Sequence, residues 1–89
     1  MTEEQQFKTR RLVFAYAEYK TYVSSMYSRG GEIEWLKLHK GQIAKYIHRL
    51  TRLRHAQELA GVKVIADDIL DKRIADAVAI LNGTKEGLK

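Results

Sequence analysis

The sequence predicts an all-α fold: a long antiparallel helical hairpin with a shorter third helix, forming a three-helix bundle. Three observations carry this expectation. Apolar residues recur at alternating four- and three-residue steps, each such stretch closes on glycine, and the chain contains no proline. The 4-3 recurrence lines up one face of a helix. Glycine ends helices because it takes the left-handed conformation without a steric penalty. Proline, the residue that breaks helices from within, is missing. No segment alternates usefully as a strand would.

The first helix is predicted over residues 3–28. Thr2 is placed to cap it, with Gln5 three residues on as the reciprocal partner. Leu12, Tyr16, Tyr19, Val23 and Met26 form its seam, and Arg29-Gly30-Gly31 stops it. The second is predicted over residues 32–60. Glu32 and Glu34 sit in its first turn, where acids complement the helix dipole. Leu36, Ile43, Tyr46, Ile47, Leu50 and Leu53 make its apolar face, and Gly61 closes it. Gly41 lies inside this segment, as a kink or as a division into a short helix and a longer one. The third is predicted over residues 64–81, with Leu70, Ile74, Ala77, Val78 and Leu81 along one side and Asn82-Gly83 at the end. At about 1.5 Å per residue the first two helices are each about 40 Å long. Short linkers make neighbours antiparallel.

The 89 residues amount to one domain, residues 1–83, followed by a polar tail, 84–89, expected to fray. A chain this short buries only about two-thirds of its unfolded surface, so association would add to a thin margin of stability. Phe7 and Phe14 project nearly opposite the first seam, and Ile65, Ile69 and Ile80 lie off the third helix's stripe. A helix with two apolar sides is sandwiched or shared. Phe7 and Phe14, with Arg11 between them, are therefore a candidate surface for a homodimer or a protein partner. The competing expectation is that the third helix covers them within one chain.

The absence of cysteine excludes disulfides and thiolate metal sites and fits a reducing compartment. The first residues, Met1-Thr2-Glu3-Glu4-Gln5-Gln6, are unlike a signal peptide's basic and apolar start, and no apolar run approaches the roughly 20 residues of a spanning helix. A cytoplasmic protein without membrane contact is expected.

Charge is the most informative feature. Between Glu34 and Glu58 there is no acid, while the stretch holds Lys37, Lys40, Lys45, Arg49, Arg52, Arg54 and all three histidines. The ten other basic residues are balanced by the eleven acids, so the net charge of +5 is one local feature. At about 100° per residue, Lys37, Lys45, His48, Arg49, Arg52 and His55 fall in one arc, roughly opposite the apolar face. A stripe of cations tracks a phosphate backbone, and arginine grips phosphate with a planar fork. Nucleic acid is the leading expected partner, an acidic protein surface the second, and an ordinary solvated face the plain account. Nothing in the stripe reads base edges, so low or shape-based specificity is expected. Arg54 and Lys40 lie beside the apolar side, and Asp67 is the expected partner of Arg54.

Other motifs are weaker. Residues 42–47 have the pattern of the first helix of a helix-turn-helix, but the turn glycine is missing and the helical pattern runs on. Asp67, Asp68 and Asp71 match the spacing of a magnesium-diphosphate motif without its second cluster, and read as acids at a helix start. His48 and His55 are two turns apart, too far to share a metal, and His39 sits with the apolar face. No cysteine nucleophile, glycine-rich phosphate loop or carboxylate–histidine pairing is present. The expectation is a non-enzyme with no metal, no cofactor and no small-molecule substrate. The aromatics cluster on the first hairpin. Tyr16, Tyr19 and Tyr46 lie on seams as core, while Phe7, Arg11, Phe14 and Tyr22 share an outer face suited to base stacking or dimer packing.

Overall fold

The computed structural model describes residues 2–83, and the regular structure within them is entirely helical. There are four α-helices: α1, Glu3–Tyr27; α2, Glu32–Leu38; α3, Ile43–Ala60; and α4, Asp67–Leu81. The tail expected to fray lies outside the described residues.

α1 starts as its sequence dictates. Thr2 is extended and its hydroxyl accepts the Gln5 N–H at 3.2 Å. The helix ends at a turn where Gly30 and Gly31 have φ of +100° and +103°, a region side chains rarely adopt. Gly31 then donates to the Met26 carbonyl at 2.7 Å, which satisfies a carbonyl the helix leaves open.

The helix predicted over residues 32–60 is divided in two. His39 leaves the helical region at φ −123°, ψ 54°, and Lys40–Gln42 form a 3-10 turn before α3. The Trp35 carbonyl takes two donors here, the His39 backbone N–H and ring Nδ1, both at 2.9 Å, and the His39 ring stacks on Trp35. Gly41 belongs to this turn rather than to a helix interior.

α4 begins three residues later than predicted, and the reason is Gln57. This buried amide donates to the Ile65 carbonyl at 3.0 Å and accepts the Ile65 N–H at 2.8 Å. With both backbone groups of Ile65 committed to a side chain, residues 62–66 serve as a connector.

α3 is central. α1 packs along one side of it and α4 along the other, while α2 touches α1 and α4 at one end. Tyr22 of α1 meets Tyr46 near the start of α3, and Glu18 meets Arg49 and Arg52 further on, so the two helices run antiparallel. The core joins Leu12, Ala15, Tyr19 and Met26 to Trp35 and Leu36, to Ile43, Tyr46, Leu50, Leu53 and Ala56, and to Leu70, Ala77 and Ile80. The molecule is a rod of 51 × 22 × 19 Å. A rod of this width leaves one long side of α1 and of α3 on the surface.

Four expectations are corrected. Val78 and Leu81 are exposed, while Ile80, assigned off the stripe, is buried. Ile80 shares one face with Arg73 and Ala77, and the contacts of Arg73 turn that face inward. Arg54 bonds Asp71 at 2.5 Å rather than Asp67, which pairs with Lys63. Tyr22 turns inward against Trp35 and Tyr46. Finally, α4 does not cover the phenylalanines: Phe7 is 60% and Phe14 68% exposed.

Candidate functional site

Apart from Arg54, which bonds Asp71 of α4, the cationic residues of α3 lie on the side of that helix turned away from its core contacts. Lys45, His48, Arg52 and His55 are exposed, and Arg49 is half-buried against α1. Lys37 stands apart from this row. It is half-buried on α2, beyond the 3-10 turn, so helical spacing no longer relates it to Lys45. The stripe therefore begins at Lys45.

The edge of the stripe is set by a residue the charge count conceals. Glu18 of α1 places Oε2 2.8 Å from Arg49 Nε and Oε1 3.8 Å from Arg52. One carboxylate thus faces two guanidiniums and leaves the group cationic. The signal for it was in the sequence, because Phe7, Arg11, Phe14 and Glu18 follow 4-3-4 steps and share a face of α1. Along that face the Arg11 guanidinium lies over the Phe7 ring, 5.7 Å from its centroid. The aromatic pair and the cationic stripe, expected as two separate surfaces, adjoin through Glu18.

A second polar cluster lies on the opposite side of the core. Tyr46 donates to Glu32 Oε2 at 2.5 Å, and Arg73 donates to the same oxygen at 2.8 Å. Arg73 also lies over the Tyr19 ring at 5.7 Å. Glu32 and Arg73 are only 14% and 18% exposed. Burial raises the Tyr46 pKa, and the bond to Glu32 adds to it. Burial works against the charge of Arg73, but the neighbouring Tyr27 and Tyr46 hydroxyls and the bond to Glu32 outweigh that and raise its pKa. A shallow cavity bordered by Tyr27, Ile69, Lys72 and Asp76 opens beside the pair. The cluster joins α2, α3 and α4. Glu32, held by two donors, ties α2 to α3 and α4.

Among the described residues no three His, Asp or Glu side chains gather as a metal site, and no helix is long and apolar enough to cross a membrane. Comparison with protein-family models, curated proteins and solved structures finds no match to this chain.

Proposed function

We propose that this is a small nucleic-acid-binding accessory or regulatory protein of the cytoplasm, and not an enzyme. The observation that carries the reading is the acid-free outer face of α3, from Lys45 through His48, Arg49 and Arg52 to His55, on a helix whose other side is committed to the core. Lys45, Arg49 and Arg52 supply the phosphate contacts, with the histidines flanking them and Lys37 beyond the turn. Three such contacts give a log–log salt dependence with a slope of about −2 to −3.

The test is a charge reversal at the two exposed positions, Lys45→Glu with Arg52→Glu, which leaves the tie between Arg49 and Glu18 in place. Retention on immobilised DNA and RNA is expected to be lost, with helical circular dichroism unchanged. Undiminished retention by the folded variant rejects the reading.

The second reading is a protein-interaction module, an adaptor or inhibitor whose basic face docks on an acidic protein surface. Its support is that this face already holds a carboxylate, Glu18, between two arginines. Pull-downs before and after nuclease treatment separate the two: nucleic acid accounts for partners that nuclease removes, and a single stoichiometric protein that survives it favours docking. A homodimer through Phe7, Arg11 and Phe14 has the exposed rings in its favour. Against it, each copy carries a net charge of +5.

A further inference from the structure

We infer that the nucleic acid this protein takes is single-stranded, with bases stacked on Phe7 and Phe14 while the phosphates follow Lys45, Arg49 and Arg52; the inference rests on the cationic-face reading above.

The two rings are the strongest unexplained feature of the surface. Phe7 and Phe14 are more than half exposed on a helix that has four other residues in the core. They stand two turns apart on one face, about 10 Å along the axis. Each is next to a cation or to a cation's partner. Arg11 lies over Phe7, and Glu18, one turn beyond Phe14, contacts Arg49 and Arg52. The rings and the cations thus follow one another along the rod: Glu18 meets Arg49 and Arg52, Phe14 lies one turn beyond it and Phe7 two turns further, towards the Ala60 end of α3. An unpaired strand can lay its phosphates on the cations and, further along, turn its bases out onto the rings, so this succession of patches suits a single strand.

A duplex offers no such match. Its bases are stacked on one another and its edges lie in grooves, so the rings would meet phosphate and sugar instead. A second copy of this chain carries the same net charge of +5, which disfavours self-association. An anionic strand is the occupant whose charge fits. Glu18 does not block it. Its Oε2 is buried, lies beside Arg49 without the alignment of a hydrogen bond, and accepts none. A phosphate oxygen therefore competes with a poorly placed acceptor.

The experiment is fluorescence anisotropy of the full chain with a labelled oligothymidylate and with a duplex of equal length, at low and moderate salt. The single strand is expected to bind more tightly, by about tenfold, and Phe7→Ala or Phe14→Ala each to weaken it by about tenfold while duplex affinity holds. Both positions are exposed, and unchanged circular dichroism confirms folding. A Phe14→Trp variant adds a direct readout. The natural tryptophan, Trp35, is buried, so quenching of the new exposed indole by the strand reports stacking. Equal affinity for both forms, with no effect of Phe14→Ala and no quenching, overturns the stacking platform and leaves the cationic face standing. Binding of neither form overturns both. Concentration-dependent dimerisation lost in Phe14→Ala assigns the rings to a second copy instead.

Discussion

Arg49 Nε lies 2.8 Å from Glu18 Oε2, and this pair fastens the cationic face of α3 to the outer face of α1. The contact is an ion pair without hydrogen-bond alignment, and the carboxylate oxygen in it is buried. Attraction is present, but the acceptor is under-used. Such a pair holds the guanidinium in place and yields to a better acceptor.

Glu18→Gln removes one negative charge beside Arg49 and Arg52. An incoming phosphate then meets about 1 kcal/mol less repulsion, so nucleic-acid affinity at low salt should rise roughly fivefold. Stability should change by less than about 1 kcal/mol, because both sides of the pair are partly exposed. Salt-titrated anisotropy and urea unfolding measure the two. An unaltered affinity means that the arginines serve only the fold.

Tyr46→Phe deletes the hydroxyl that donates to Glu32, leaving a buried carboxylate with Arg73 alone. The expected loss is about 2 kcal/mol, read from urea midpoints. Arg73→Met should cost more, about 3 kcal/mol or above, because it leaves the Glu32 charge without its counterion.

The same tyrosine gives an alkaline signature. Burial raises its folded pKa above the usual 10.0, so the folded state holds this proton more tightly than the unfolded chain does. The resulting stability is fully present below pH 10.0 and declines as pH rises beyond it. Tyr19, also raised by burial, contributes in the same direction. Tyr46→Phe should therefore make the alkaline fall in stability shallower without abolishing it. A limb identical to that of the native protein places the effect elsewhere.

Gln57→Ala leaves the Ile65 N–H and C=O without their partners, for an expected loss of about 2–3 kcal/mol. Gln57→Glu is a sharper probe. It keeps the acceptor for the N–H but sets a second acceptor against the carbonyl, so at neutral pH it should be at least as damaging. Part of that loss should be recovered as the carboxyl protonates on acidification. Thermal melts at two pH values decide it.

Local periodicity made α1 and the core side of α3 legible. Leu12, Tyr19 and Met26 on one helix, and Tyr46, Leu50 and Leu53 on the other, are repeated closely enough to name the buried face. α4 resisted the same treatment because apolar residues surround most of it. Which side turns inward depends on Arg73 finding Glu32, 41 residues away in sequence. The start of α4 depends on a side chain in the preceding helix, and helix propensity carries no trace of that. The site divides likewise. The cationic arc was visible as a run without acids, whereas its edge is a glutamate on another helix that the net charge had already absorbed.

The Gln57 contact also bears on how this chain changes over descent. Its two bonds are made to main-chain atoms, which every amino acid other than proline supplies at position 65. The geometry therefore constrains one amide strictly and the link it holds loosely. Val62 and Val64, both exposed, are free to drift without disturbing how α3 and α4 are aligned. Related chains should share a glutamine, or another amide of equal reach, at position 57 long after the residues joining the two helices have ceased to resemble one another.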